Sequence, residues 1–328
     1  MSVAVGSRFG IRGLEDLWAR LTGRAPAAAM SMADRMILDV LGLGLEQAIE
    51  HLFAARPELD EFEDWVVATA GEPDPDRIAR YHAWLDGVPP PESVQAWIRS
   101  IDEAEPALDA DELAHWESEG WVILRNAITA AQAAAAAALL WKVAGADPGD
   151  PSTWYRTRTN GLMVQHFQGE ELEAVRRSPR VHKAFAQLWG TADLWMQIDR
   201  MSFNAPVIRG KRFYAPRLHW DVSLAQPIPF ATQAILYLTD TAADQGALEL
   251  VPGIHNRIGA WLAGIGDAEP REVDLSAQAI TIAASAGDLV IWHQGLPHGA
   301  SPNHASLPRL AQYLTMYSPD MQVHPEWR

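Results

Sequence analysis

Residues 232–238, Thr-Gln-Ala-Ile-Leu-Tyr-Leu, form an apolar run rich in β-branched and aromatic side chains, which is the composition of a buried β-strand. From about residue 190 onward, the apolar pattern changes from a helical period of 3.6 to a strand period of two. Further strand-like segments, separated by Pro, Gly and Asp turns, cover residues 194–204, 248–251, 279–283, 289–292 and 310–316. Six or more short strands after a helical region predict a mainly β fold with α-helices, a cupin-like double-sheet jelly roll packed on helices.

Residues 14–100 show apolar residues at helical spacing and predict a set of α-helices. Ser31 and Asp34 have the spacing of a capping box in front of one of them. A linker-like stretch follows. We therefore predict two domains, an acidic α-helical N-terminal domain at residues 1–107 and a jelly-roll domain at residues 108–328. A small helical bundle explains the first of these without any chemistry.

The composition limits both the chemistry and the location. The 328 residues are 48% apolar and 21% charged, which is typical of a globular protein. There is no cysteine, so disulfides and thiolate metal sites are excluded, and a metal would need His and carboxylate ligands. Charged residues interrupt every long apolar run, and no secretory signal is evident. We therefore expect a cytoplasmic protein with no membrane segment.

The formal net charge of −16 argues against nucleic acid as a partner, because a nucleic-acid binder needs a basic face to displace counterions from phosphates. The charge is uneven, since residues 1–107 hold 19 Asp and Glu against 9 Lys and Arg. An acidic carrier protein would be repelled by such a surface, so we expect a small-molecule substrate. The acidic N-terminal part either caps the active site or docks a partner protein.

The tripeptide His219-Trp220-Asp221 is the candidate metal motif, because it stands at the end of a strand-like segment. Residues i and i+2 of a strand point to the same face, so the imidazole and the carboxylate can reach one ion. His115-Trp116-Glu117 has the same pattern but lies in a predicted helix, where residues i and i+2 do not face each other. We therefore reject it.

A third ligand is needed, and His298 is the best candidate because it follows a predicted strand at residues 287–292 that can pair beside the first motif. His293, five residues earlier, is a competitor. Two His and one carboxylate on one face of a metal leave adjacent positions open, which suits Fe(II) chemistry with O2 and a cosubstrate. A structural zinc would instead want four closed ligands.

Arg309 stands eleven residues after His298, at the start of the last predicted strand. A guanidinium binds a carboxylate through two parallel hydrogen bonds. One strand away from the metal, Arg309 could take the far carboxylate of 2-oxoglutarate while the keto-acid end of that molecule binds iron.

These elements together resemble the phytanoyl-CoA dioxygenase family over roughly residues 108–318. A lone His-x-Asp is common by chance, but seven elements in matching order and spacing are specific. They are His219-Trp-Asp221, Gln233-Ala-Ile-Leu-Tyr-Leu, Gln245-Gly246-Ala-Leu, Val251-Pro-Gly-Ile-His255, Gly287-Asp288, His298-Gly-Ala-Ser-Pro-Asn303 and Arg309. The resemblance implies a double-stranded β-helix that uses Fe(II), 2-oxoglutarate and O2. It also implies decarboxylation of 2-oxoglutarate to succinate and CO2, usually with hydroxylation of an unactivated C–H bond of a second substrate.

By this resemblance, His219, Asp221 and His298 are the catalytic iron ligands and Arg309 holds the cosubstrate carboxylate. The resemblance also selects His298 over His293, which then becomes a packed histidine.

The resemblance further assigns cosubstrate-binding positions to two strands. Gln233, Ile235 and Tyr237 share a strand face that the family uses beside 2-oxoglutarate. Met201 and Asn204 fall where the family runs a strand along the pocket. Gln233, Ile235 and Met201 are therefore predicted to contact the cofactor together with Arg309.

The sequence departs from the family at two places. Many members have Ser two residues after the distal His, where this chain has Ala300, and Met163 stands where a basic residue can face the cosubstrate. Asp221 is present, whereas related halogenases lack this carboxylate, so hydroxylation is favoured over halogenation.

Several alternatives stay open. A jelly roll that binds a metal or ligand without turnover, and a cupin-like metal-assisted isomerase or hydrolase, share the three-ligand pattern, but neither needs Arg309. Arg209, Lys211, Arg212 and Arg217 form a basic island that either clamps an anionic substrate or is a solvated loop. The sequence does not identify the substrate.

Overall fold

The computed structural model describes residues 6–156, 161–208, 218–324 and 326–328. The basic island predicted at 209–217 lies outside these residues. The described residues form eleven α-helices and ten β-strands. None of these helices is long and apolar enough to cross a membrane.

Six helices lie within residues 14–103, where the apolar spacing predicted a set of helices. Their bounds are α1 Leu14–Leu21, α2 Met32–Val40, α3 Leu45–Ala55, α4 Leu59–Ala70, α5 Pro75–Asp86 and α6 Glu92–Glu103. The predicted capping box is present at α2, where the Ser31 hydroxyl accepts from the Asp34 amide and the Asp34 carboxylate accepts from the Ser31 amide. These groups satisfy backbone donors that a helix N-terminus otherwise leaves without partners.

The N-terminal helices share a hydrophobic core with the sheet region. This core combines residues such as Met36, Leu41 and Phe62 with Trp195 and Tyr317, which belong to strands. The helices therefore pack on the end of the sheet through buried apolar surface. The division into domains at residue 107 stays a prediction.

Five further helices belong to the second part of the chain: α7 Ala110–Glu119, α8 Ala130–Ala144, α9 Glu170–Arg176, α10 Pro179–Trp189 and α11 Ile258–Gly264. Helix α8 contains the alanine-rich run and begins at a second capping box, formed by Thr129 and Gln132. Its buried positions Ala133, Ala136, Ala137 and Leu140 follow the three-and-four spacing of one helix face. Small side chains on that face let the helix lie close to the sheet.

The strands form two antiparallel sheets. Their bounds are β1 Trp121–Leu124, β2 Met163–Val164, β3 Trp195–Gln197, β4 Met201–Asn204, β5 Thr232–Tyr237, β6 Leu248–Leu250, β7 Ile280–Ile282, β8 Leu289–His293, β9 His298–Ala300 and β10 Arg309–Tyr317. The large sheet has the order β1-β8-β5-β10-β4-β2, with β3 also paired to β10, and the small sheet has the order β7-β6-β9. Two packed antiparallel sheets with helices on one side are consistent with the predicted jelly roll.

Strand β5 shows how the layers are built, because its side chains alternate between two cores. Ala234 and Leu236 lie in the core between the large sheet and helices α8 to α10. Ile235 and Tyr237 lie in the core between the two sheets. The predicted strand at 194–204 is divided into β3 and β4, and β9, which the sequence did not predict, contains His298.

Candidate metal centre

His219, Asp221 and His298 form a cluster at one mouth of the two-sheet core. Each offers one ligand atom, and these atoms all lie within 4.8 Å of one another. The Nε2 atom of His219 is 3.2 Å from Asp221 Oδ1, and the Nε2 atom of His298 is 3.3 Å from Asp221 Oδ2. No further His or acid among the described residues joins the group, so an ion held there would keep open positions.

Backbone pairing brings the two histidines together. His219 and His298 form an antiparallel bridge in which each amide donates to the other carbonyl at 3.0 Å. His298 begins β9, which pairs with β6 in the small sheet, whereas the described residues around His219 form only this bridge and not a full strand. The i and i+2 geometry predicted for His219 and Asp221 therefore arises at a single bridge followed by a bend.

Trp220 points away from its two neighbours, as that geometry requires. Its Nε1 donates to the Gly295 carbonyl at 2.9 Å, and its ring packs against Trp261 in the core between the sheets. This buried anchor fixes the segment so that His219 and Asp221 both face the pocket.

Two consecutive hydrogen bonds orient the Asp221 carboxylate. Trp292 Nε1 donates to Gln233 Oε1 at 3.1 Å, and Gln233 Nε2 donates to Asp221 Oδ2 at 2.7 Å. Because an indole N–H can only donate, it determines which end of the Gln233 amide is the acceptor. Gln233, predicted to contact the cofactor, is thus found holding the acidic ligand.

The charge state of Asp221 suits a metal ligand. Burial opposes its ionisation, but hydrogen bonds to His219 and His298 outweigh this effect and hold the pKa of the carboxyl well below its usual range. On His298, Nδ1 lies 3.2 Å from the Leu296 carbonyl oxygen, and this contact leaves Nε2 as the ring nitrogen that faces Asp221. The carboxylate of Asp221 is therefore ionised, and Nε2 of His298 is the atom that would bind a metal.

Arg309 is the first residue of β10 and is 1% exposed. Its Nε donates to the Gly246 carbonyl at 3.1 Å and its Nη1 donates to the Ser202 hydroxyl at 2.6 Å. No carboxylate among the described residues forms an ion pair with it; its partners there are neutral. A buried guanidinium without a counter-ion is costly, so the arrangement suits an incoming carboxylate.

Position 246, which lies next to Arg309, accepts only glycine. Its φ of 66° is in the left-handed region, and a Cβ at this position would overlap the Asn204 side chain. The Gln245-Gly246 element of the sequence thus gives Arg309 a backbone acceptor at close range.

The other two residues predicted to contact the cofactor, Ile235 and Met201, lie on opposite faces of the large sheet. Ile235 lies on the inward face, in the core between the sheets. Met201 does not reach the site, because it lies in the core beneath the helices, and this corrects its predicted role. Its neighbour Ser202 faces inward and contacts Arg309. Strand alternation gives the signal that could have found Ser202, since Met201 and Asn204 are three residues apart and cannot share a face.

The rejected histidines lie elsewhere, as predicted. His115 is in helix α7, with its ring edge-on to Trp121. His293 accepts from the Gly295 amide and packs against Phe230 and His255, and burial lowers its pKa to about 4. Neither belongs to the metal-ligand cluster.

A pocket of 830 Å³ opens from the metal-ligand cluster. Its walls include Trp292 of β8, whereas Trp195 of β3 is buried in the core shared with the N-terminal helices. Ala300 and Met163, the two departures from the family pattern, line this pocket.

Two antiparallel sheets that carry a cluster of two histidines and a carboxylate, and a buried arginine on β10 without an ion pair among the described residues, are the features of a non-haem iron, 2-oxoglutarate-dependent oxygenase. The sequence profile described as phytanoyl-CoA dioxygenase (PhyH) matches residues 116–311. The chain belongs to this family, and it is a 2-oxoglutarate-dependent dioxygenase with Fe(II), 2-oxoglutarate and O2 as its cofactors.

Individual relatives are distant. An ectoine dioxygenase of Bordetella parapertussis is 23% identical over 250 residues, which cover 67% of this chain and 78% of the relative. Among solved structures, EvdO2 from Micromonospora carbonacea var. aurantiaca complexed with 2-oxoglutarate is 18% identical with a TM-score of 0.48, covering 69% of this chain and 97% of that one. The α-ketoglutarate-dependent carbocyclase SnoK from nogalamycin biosynthesis is 18% identical with a TM-score of 0.46, covering 68% of this chain and 90% of that one.

Proposed function

We propose that His219, Asp221 and His298 bind Fe(II), that Arg309 binds the far carboxylate of 2-oxoglutarate, and that the protein hydroxylates an unactivated C–H bond of a small molecule. The other products are succinate and CO2. The observation that carries this proposal is the combination of a three-residue ligand cluster with a buried arginine that has no acidic partner among the described residues.

The donor set supports iron. Two imidazole nitrogens and one carboxylate oxygen on one face suit non-haem Fe(II), whereas a structural zinc would take four protein ligands. The bound iron and 2-oxoglutarate supply the oxidising chemistry with O2. The protein contributes ligand orientation, through the Gln233 amide on Asp221 and the Leu296 carbonyl on His298.

The surroundings of Arg309 support 2-oxoglutarate as the cosubstrate. Its Nε and Nη1 are fixed by the Gly246 carbonyl and the Ser202 hydroxyl, so the guanidinium is oriented before any ligand arrives. A preorganised cation at the buried end of β10 would position the cosubstrate and neutralise its charge.

The substrate class follows from the pocket and the intact carboxylate. A volume of 830 Å³ is typical of a small-molecule site. The name of the Bordetella relative gives ectoine as the substrate of that protein, and we propose a small-molecule substrate here as well. Because Asp221 occupies the third ligand position, hydroxylation is favoured over halogenation.

Anaerobic titration with Fe(II) and 2-oxoglutarate tests the proposal. We expect the charge-transfer absorption of the iron chelate in the wild-type protein and its loss in His219→Ala and Asp221→Ala. His304→Ala, which removes an exposed histidine outside the cluster, is the matched control and should keep the band. Bound iron without this absorption would overturn the proposal. Turnover without succinate would favour a cupin-like isomerase or hydrolase, and binding without turnover would favour a silent jelly roll.

A further inference from the structure

The N-terminal helices supply part of the wall of the active-site pocket. Arg35 of α2 and Leu45 and Glu46 of α3 line the same pocket as His219, Asp221 and His298. Residues far from the metal motif in sequence therefore face the space in which a substrate would bind.

Arg35 differs from the other arginine of this wall in having no side-chain partner. Its side chain makes no hydrogen bond or ion pair with another described residue, its Nε atom is buried without a partner, and its charge acts on the carboxyl of Asp39 one turn further along α2. The other pocket-lining arginine, Arg200, pairs with Glu46. Arg35 thus resembles Arg309 in presenting a guanidinium that forms no ion pair with a described residue.

The acidic groups near Arg35 are already engaged. Asp39, one helical turn further along α2, is buried and accepts a hydrogen bond from the Tyr317 hydroxyl. Arg77 of α5 donates to the Asp39 backbone carbonyl at 3.5 Å, and its charge also acts on the Asp39 carboxyl. Two arginines, Arg35 and Arg77, therefore act on one buried carboxyl that Tyr317 already engages. A partly buried excess cation is stabilised by a bound anion.

Strand β10 runs from the neighbourhood of the metal cluster to the contact with α2. In the β5–β10 register, Leu314 lies opposite Ala234, so the next pair is Thr315 with Gln233, the residue that holds Asp221. Tyr317, which contacts Asp39 of α2, lies two residues further along the strand. Because Arg35 and the three candidate ligands line one pocket, a small molecule in that pocket can face both the metal and the helices.

We propose that Arg35 is a specificity-determining residue that binds a carboxylate group of the substrate. This inference rests on the proposed function, because it places the oxidised carbon at the metal cluster and the substrate carboxylate at α2. A single unpaired guanidinium matches a single carboxylate in charge and in its two-pronged hydrogen-bond geometry. The N-terminal helices are then part of the substrate site and not a separate docking module.

The test compares acids with their amides. Protein loaded anaerobically with Fe(II) and 2-oxoglutarate is titrated calorimetrically with a panel of small carboxylic acids, each paired with its primary amide. In the wild-type protein we expect at least one acid to bind about tenfold or more tightly than its amide. In Arg35→Gln, the affinity for that acid should fall about 30-fold or more, with little change for the amide, because a desolvated charge pair is lost.

Two controls separate the possible outcomes. Arg24→Gln removes an arginine paired with Glu58 outside the pocket and should bind the acid as the wild type does. The wild-type comparison of acid with amide needs no variant, so the absence of an acid preference overturns the proposal even if Arg35→Gln fails to fold. A panel without acid preference, or a preference that persists in Arg35→Gln, overturns the role of Arg35. Absence of the iron chelate absorption in the wild-type protein is instead a failure of the proposed function.

Discussion

Gln233 donates a 2.7 Å hydrogen bond to the Oδ2 atom of Asp221, and it is itself held by the indole of Trp292. The acidic ligand of the candidate metal centre is therefore oriented by a strand of the large sheet, although Asp221 itself lies in an irregular segment. A residue that hydrogen-bonds to a metal-binding carboxylate fixes the orientation of that carboxylate and tunes its basicity.

Replacing Gln233 by Leu should weaken Fe(II) binding by about 10- to 100-fold, because the Asp221 carboxylate loses its oriented donor. The measurement is anaerobic Fe(II) titration of the wild-type and Gln233→Leu proteins. Gln278→Leu, at an exposed position in the same part of the chain, is the matched control. Equal iron affinity in the wild type and Gln233→Leu would show that the hydrogen bond does not orient the ligand.

Replacing Arg309 by Met should abolish stabilisation by 2-oxoglutarate while leaving the Fe(II) affinity unchanged. A ligand at a hundred times its Kd raises the free energy of unfolding by about 2.7 kcal/mol, which is visible as a higher Tm. We expect this rise in the wild type and in Arg177→Met, where an exposed arginine is removed, but not in Arg309→Met. A normal rise in Arg309→Met would place the cosubstrate elsewhere.

The contribution of Asp39 to the free energy of unfolding should fall as the pH rises from about 4 to 7. Burial raises the pKa of this carboxyl from 3.8 to about 7, against the hydrogen bond from Tyr317. The folded state then binds a proton that the unfolded state has released, so this contribution is complete below about pH 4 and is lost through pH 7. Asp39→Asn should flatten this part of the profile of unfolding free energy against pH, measured by urea denaturation. An unchanged slope would mean that Asp39 does not bind that proton.

Replacing Arg271 by Ala should loosen residues 326–328, of which Trp327 lines the pocket. Arg271 Nη2 donates to the Arg328 carbonyl at 2.8 Å and to the Val222 carbonyl at 2.7 Å, and its guanidinium stacks on Trp327. Amide hydrogen exchange in this segment should become about tenfold faster or more, because local opening of the variant does not have to break these contacts. Arg257→Ala, at an exposed side chain, is the control, and wild-type exchange in Arg271→Ala would refute the anchoring role.

Much of the metal centre was predictable because its signals are local. His219 and Asp221 are two residues apart, so their spacing relates their faces, whereas His298 and Arg309 lie in different sheets and were assigned through the family resemblance. Met201 was also assigned through that resemblance, and the alternation along β4 places it on the face opposite to Ser202 and Asn204. The position of Arg35 in the pocket wall depends on contacts such as that between Asp39 and Tyr317, which are 278 residues apart. No local pattern encodes such a contact.

The core that joins the N-terminal helices to Trp195 and Tyr317 has an evolutionary consequence. Exchange of the helices between relatives would import side chains selected to pack against a different strand end, leaving gaps or clashes around these two aromatic residues. A new helical wall can therefore be inherited only together with matching changes at the end of the sheet. The two parts of the chain are expected to diverge in step, as one unit of descent.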